Sequence, residues 1–315
     1  MGKERCIRTK LIYDVFSVDM LTGVKWMVYG KRLQKTMRIG MRSLFVLIAI
    51  VTIFIVLDYL PEGSGVWKPD YPKVDLDQII VKKQLGEEDY HTLFLQTGLG
   101  RAAIDDIFAN NTGTLKERVI EQYQKDFFGS GEYECRNIAV FVNEERITND
   151  EGTPVRGFEI ENLKNGDVLI TKATHTVGWR HGHAAIVTDS SKGETLEAIL
   201  LGNPSILQHT SKWQTYPSFI QLRLKDFKAD TERIADYARE NFKGIPYGLL
   251  TGIPKKAPLE VTKTQCSHLV WYPYMHFGYD IDSDGSWLVT PKDIANSDLF
   301  EVVQVYGVDP ENIWP

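Results

Sequence analysis

The sequence predicts an α+β fold behind a single membrane-spanning helix, and three observations carry that reading. Residues 43–57 are uncharged, residues 75–128 show helical periodicity, and from Gly131 the pattern changes to short β-rich runs before helical spacing returns at Asp230. Strands followed by helices, without regular βαβ alternation, imply helices packed against a mainly antiparallel sheet. The 315 residues, 43% hydrophobic and 25% charged, suit a globular chain of one or two domains.

Residues 1–42 form a basic arm with ten Lys/Arg against three Asp/Glu, a balance of +7 that leaves −13 on the remainder of a chain whose total is −6. The run Ser43–Leu57 covers most of a ~30 Å hydrocarbon layer at ~1.5 Å per residue, with Asp58, Tyr59 and Leu60 near the interface. It reads as one spanning helix over residues 43–60. A cleaved signal peptide or a buried core helix would be equally apolar, but 42 residues precede the run and no Ala-x-Ala pattern follows it. The positive-inside rule puts the arm in the cytoplasm and everything after Pro61 outside the cell membrane. The acidic outer part excludes nucleic acid as its main partner, since that ligand needs clustered Lys/Arg to displace counterions. The arm itself suits anionic lipid or cytoplasmic partners.

Residues 61–73, rich in Pro, Gly and Ser, read as a linker, and the folded part is expected from Val74. Over residues 74–131 the spacing predicts packing or lid helices. Thr114-Leu-Lys-Glu117 has the pattern of a capping box, Val119, Tyr123 and Phe127 recur every four residues, and Gly129-Ser130-Gly131 stops the run. Residues 132–315 form the expected catalytic domain. Its β-rich runs are Asn137–Val142, Asp167–Thr171, His183–Thr188, Thr195–Leu200 and Phe219–Leu224; helices follow over Asp230–Phe242, from Gln265 and after Pro291, and an apolar run closes at Phe300–Tyr306.

The chemistry centres on Cys266 and His183. A thiol becomes a strong nucleophile when an imidazole takes its proton and a helix N-terminus stabilises the thiolate. Cys266 opens a helix-like run among polar neighbours Thr264, Gln265 and Ser267, and His183 opens the strand-like run Gly182–Val187. Taken singly, each has a plainer reading, an inert buried thiol or a half-buried strand histidine. Glu197, on the next strand, orients the imidazole if the hairpin register puts both side chains on one face; otherwise it is an exposed strand glutamate. The three cysteines exclude a dense disulfide framework: Cys6 is expected in the cytosol, and a Cys135–Cys266 bridge is the structural alternative to a free nucleophile.

No cofactor or metal is expected. His183 with His181 or His175 lacks a third zinc ligand or an HExxH pattern. Asp280-Ile-Asp282-Ser-Asp284-Gly285 begins like a calcium loop, but Pro291 stands where the bidentate carboxylate belongs, so an Asp/Gly turn is expected. Gly98-Leu-Gly100 lacks the βαβ surroundings of a dinucleotide site and reads as a turn between helices.

Gly166-Asp167-Val168-Leu169, Gly182-His183-Ala184, Gly244-Ile-Pro246-Tyr247, Cys266-Ser267-x-Leu269-Val270-Trp271 and Val289-Thr290-Pro291-x-Asp293-Ile294 together resemble the YaeF/YiiX family, permuted papain-like members of the NlpC superfamily. The similarity covers residues 163–306. It implies a papain-like fold with the histidine strand ahead of the cysteine helix, Cys266 as nucleophile, His183 as base and Glu197 as orienter, in an amidase, peptidase or acyl-transfer enzyme. Two departures stand out. His268 replaces a common glutamate, and Pro273 interrupts the nucleophile's helix, which on that account is expected to be only two turns long. The resulting expectation is a membrane-anchored, extracytoplasmic cysteine hydrolase of amide bonds in cell-wall peptides. A lipid acyl hydrolase or acyltransferase is the alternative, and a non-catalytic envelope-binding module the third.

Overall fold

The computed structural model describes residues 41–53, 66–129, 131–139, 142–176, 179–225, 228–255 and 260–315. Residues 41–53 form helix α1 with every side chain exposed, and belong to a different compact unit from the residues that begin at 66. The rest of the expected span, residues 54–60, and the basic arm up to residue 40 with Cys6 lie outside the described residues. Among the described residues no helix is long and apolar enough to cross a membrane.

The larger unit is α+β with antiparallel sheets. Its helices are α2 (Asp77–Ile80), α3 (Glu87–Thr97), α4 (Arg101–Asn110), α5 (Thr114–Phe128), α6 (Lys228–Phe242), α7 (Cys266–His276) and α8 (Pro291–Ala295). Its strands are β1 (Tyr133–Ala139), β2 (Val142–Ile147), β3 (Val168–Thr171), β4 (Thr174–Thr176), β5 (His183–Asp189), β6 (Glu194–Glu197), β7 (Ile206–His209), β8 (Phe219–Leu224) and β9 (Phe300–Tyr306). Six strands make one sheet in the order β7-β6-β5-β3-β8-β9, and three make another, β1-β2-β4.

Alternation along β3 and β5 divides the core in two. Val168, Ile170, Ala184 and Ile186 join the side chains of α6 and α7, including Ile234, Ala238, Leu269 and Val270. Leu169, Ala185 and Val187 face the opposite way, onto Phe158, Trp213, Tyr216, Phe219 and Tyr306. A sheet covered on both faces needs apolar residues at consecutive positions, which explains the unbroken run Ala184–Val187.

The helices of residues 74–131 are not a separate domain. Leu93, Leu99, Ile104, Ile107 and Ile120 enclose Val303 of β9, Gly100 N–H donates to Val303 O at 2.8 Å, and Val305 N–H donates to Gly98 O at 2.7 Å. The Gly98–Gly100 turn therefore joins α3 to α4 and docks both on the sheet. The expected linker also needs correction at its C-terminal end. Residues 66–73 carry no regular element, but Trp67 N–H donates to Gly307 O and its ring lies 5.9 Å from that of Phe127, while Tyr71 OH donates to Leu95 O at 2.6 Å.

Two helix-end expectations change as well. Gly113 is the N-cap of α5, so Thr114 is already helical and forms no capping box. A capping box does form at α8, between Thr290 and Asp293 with Pro291 in the first turn. Helix α7 runs through Pro273 for eleven residues rather than stopping after two turns. Every side chain from Ser267 to Tyr274 is buried, and this enclosure outweighs the ~3 kcal/mol that an internal proline removes. Tyr274 OH also donates to Gly166 O, which ties the helix to the start of β3.

Candidate active site

Helix α7 and strand β5 bring Cys266 and His183 together. Gln265 caps α7: its side-chain Oε1 accepts the Ser267 N–H at 3.0 Å, and Cys266 Sγ lies 3.6 Å from the same oxygen. Cys266 thus occupies the first helical position, where unpaired N–H groups and the helix dipole favour negative charge. Electrostatically the thiol is tied to His183, whose ring, with the backbone N–H groups of Ala184 and Ser267, favours its charged form.

The register left open by the sequence is now fixed. Ile186 pairs with Leu196, so Glu197 falls opposite Ala185 and shares the face of His183. His183 Nε2–H donates to Glu197 Oε2 at 2.9 Å, which leaves Nδ1 for the thiol. Glu197 is fully buried, yet all its bonding capacity is used. Lys212 Nζ donates to Oε2 at 2.7 Å, while Thr195 Oγ1 and Trp213 Nε1 donate to Oε1 at 2.9 and 3.0 Å. The Trp213 ring stacks on His183 with centroids 5.6 Å apart and planes 11° from parallel.

The electrostatics follow from this chain of contacts. Burial disfavours the charged imidazolium, but hydrogen bonds to Cys266 and Glu197 outweigh it and carry His183 up to about 9. Burial likewise opposes the Cys266 thiolate, and the hydrogen bond and charge of His183, with the two backbone N–H groups, bring the thiol below its ordinary range. Burial would raise Glu197, and Lys212 and His183 hold it far below the usual carboxylate range. The arrangement shifts the pair toward thiolate and imidazolium, and the Glu197 carboxylate fixes the ring's orientation.

All three expected catalytic residues therefore meet. Lys212, Trp213 and Thr195 complete the site and were not anticipated from the sequence, whereas Gln265 was expected among the polar neighbours of Cys266 and Tyr247 belongs to one of the quoted motifs. Tyr247 lies within the field of Cys266: burial and then the charge of Cys266 push its hydroxyl well above the usual tyrosine range. His268 stands apart. It is buried among Phe242, Trp271 and Tyr272, bonds Thr264 Oγ1 through Nδ1 at 3.1 Å, and burial lowers it to about 4, so it acts as a neutral core ring.

No family model, curated protein or solved structure matches the chain. The alternatives raised by the cysteines and histidines are resolved by geometry. Cys135 and Cys266 are both free of disulfide bonds. His175 lies 3.4 Å from Cys135, and His181 is hydrogen-bonded to Thr176 and to Gly182 O, so neither joins His183 around a common centre. Among the described residues, the acidic groups that converge are Asp282, Asp284 and Asp293, within 4.8 Å of one another. Lys255 Nζ already neutralises Asp282 at 2.6 Å, and Asp293 caps α8.

Proposed function

We propose that this chain is a cysteine hydrolase of amide or ester bonds, held outside the cell membrane by residues 43–60, with a permuted papain-like arrangement in which the histidine strand precedes the cysteine helix. The observation that supports it is Cys266 at the N-terminus of α7, electrostatically coupled to His183, whose Nε2 is held at 2.9 Å by the buried, fully bonded carboxylate of Glu197. The motif resemblance to the YaeF/YiiX family is consistent with the same order.

In this reading the Cys266 thiolate attacks the carbonyl carbon, forming a C–S bond while the carbonyl π electrons move to oxygen. Backbone N–H groups at the start of α7 steady that oxyanion. Collapse expels the alcohol or amine, which takes its proton from His183 Nδ1. Water, deprotonated by the same nitrogen, then attacks the thioester and releases the carboxylic acid and the thiol. Glu197 keeps Nε2 protonated throughout. Two substrate classes suit such a site outside a membrane, cell-wall peptides and lipid acyl groups.

Alkylation tests the nucleophile directly. Cys135 is exposed and has its own imidazole neighbour, so it is a poor reference thiol. The full chain carrying Cys6→Ser and Cys135→Ser isolates Cys266. Iodoacetamide should label it at pH 6.5 faster than a free cysteine peptide, and His183→Ala should slow labelling about tenfold or more, the expected loss for one unit or more of thiol pKa. Equal rates with and without His183 would favour a binding module that uses the same cleft without chemistry.

A further inference from the structure

We infer that the acyl part of the substrate is a long apolar chain, and that Trp179, Leu201, Leu249, Leu250 and Trp287 are the specificity-determining side chains that receive it. The inference rests on the hydrolase reading of Cys266.

Large apolar side chains left in water are ordinary when scattered and informative when gathered. From residue 66 onward, the six most exposed among the described residues are Trp287 (79%), Leu250 (73%), Leu201 (70%), Val81 (66%), Leu249 (65%) and Trp179 (57%). Five of these six stand on loops fastened to the catalytic elements, and Val81 alone does not.

The fastening is explicit in the backbone. Trp179 lies in the connection from β4 that ends at His183, and its carbonyl accepts His181 N–H at 3.0 Å. Leu249 and Leu250 follow Tyr247 and Gly248, and Gly248 N–H donates to Thr264 O at 2.8 Å, two residues before the nucleophile. Leu201 lies two residues from Asn203, whose carbonyl accepts Tyr247 N–H at 3.2 Å. Trp287 lies two residues from Val289, whose carbonyl is 2.6 Å from Ser267 Oγ, and its own carbonyl accepts Lys255 N–H at 2.7 Å. Two of these loops, those of Leu249–Leu250 and Trp287, are bonded to the segment bearing Cys266, the Leu201 loop is bonded to Tyr247 and the Trp179 loop leads into His183, and each presents an apolar tip.

A peptide substrate with free carboxylate or ammonium groups needs opposite charges at such tips. Lys255, whose N–H bonds the Trp287 carbonyl, is engaged by Asp280 and Asp282 at 3.0 and 2.6 Å, while Lys243 and Lys263 of the same connection stand exposed toward its two ends. Apolar tips around a thiol that attacks carbonyl carbon match a fatty acyl ester or amide, whose chain gains by leaving water while its carbonyl reaches the sulfur.

The test uses the full chain with p-nitrophenyl acetate and p-nitrophenyl decanoate, each below its micelle-forming concentration, beside muropeptides. Wild type should turn over both esters in a Cys266-dependent way, with kcat/KM for the decanoate higher by on the order of 100-fold, since each buried methylene contributes up to tenfold or more in a closed pocket and less on an open rim. The exposed pair Leu249→Ser and Leu250→Ser should lower the decanoate-to-acetate ratio about tenfold, while Val81→Ser leaves the ratio at the wild-type value. Acetate turnover without preference for decanoate, or faster turnover of muropeptides than of decanoate, overturns this inference and leaves the hydrolase intact. No Cys266-dependent turnover of any of the three overturns the hydrolase reading and this inference with it.

Discussion

The state of one imidazole decides what Cys266 can do, and its proton leaves a signature in stability. His183 is raised from 6.5 to about 9, so its contribution is complete below 6.5 and is lost as pH rises through the folded value. Cys266 is lowered from 9.0, so its contribution is complete above 9.0 and is lost as pH falls through the depressed value. In the part of the range 6.5 to 9.0 that lies above the depressed Cys266 value, the two slopes oppose each other, because the folded pair and the unfolded chain hold the same number of protons. Denaturant unfolding of the wild type should therefore change little across that interval. In Cys266→Ser the thiol's opposing slope is gone and Glu197 alone holds His183 up against burial, so stability should decline as pH rises, by less than a value of about 9 would give; parallel curves for the two proteins would show that the thiol and the ring are not coupled. At this scale the sequence made the three central residues legible, because a Gly-His strand start and a polar-flanked cysteine are local patterns. Lys212 and Trp213 were not legible. They lie on a 3-10 turn after β7 and reach Glu197 only through the path of the chain, which no spacing encodes.

At the scale of elements, the site depends on how tightly β5 is entered. Gly182 has φ of +70°, and a Cβ there would stand 2.7 Å from Thr171 O and 2.5 Å from the Trp314 ring. Gly182→Ala is expected to destabilise the protein by about 2 kcal/mol or more, from the left-handed backbone and the clash together. Since the next residue is His183, the same substitution should also slow alkylation of Cys266. Denaturant unfolding and peptide-resolved mass spectrometry on one sample read both effects, and a stable variant with unchanged labelling would mean that the loop has slack. The apolar elements β3, β5, β8, β9 and α6, and the start of α7, were legible because burial on one or both faces writes a strong pattern. The more polar strands β2, β4 and β7 were not, and the run Asn137–Val142 crosses from β1 to β2 because the apolar residues lie at the end of one strand and the start of the next. The pattern Thr114-x-x-Glu117 failed as a cap because Gly113 takes that position, so a motif of four residues competes with its neighbours for register.

Across the whole molecule, the sequence separates an N-terminal region from a folded part, and the fold shifts where that folded part begins. Proline, glycine and serine predict irregular backbone over residues 61–73, and residues 66–73 are irregular, but composition does not report that two aromatic rings in the stretch find docking sites. Trp67 packs against Phe127, and Tyr71 lies against Phe128 with centroids 5.9 Å apart while its hydroxyl bonds Leu95 O. Gln96 fastens the end of the stretch, its Oε1 accepting Val74 N–H at 2.9 Å and its Nε2 donating to Pro72 O at 3.2 Å. Gln124 joins them, donating to Val74 O and to Gln96 Oε1, both at 2.8 Å. Chains beginning at residue 66 and at residue 74 should therefore differ in stability although they share every regular element from α2 to β9. Partial exposure of the Phe127 and Phe128 contacts and loss of the hydrogen bonds on Gln96 and Leu95 should lower the unfolding free energy of the shorter chain by about 2–4 kcal/mol. Urea unfolding measures the difference. Equal midpoints and slopes would mean that residues 66–73 rest on the surface without stabilising it, and that the spacer read from composition extends to residue 73.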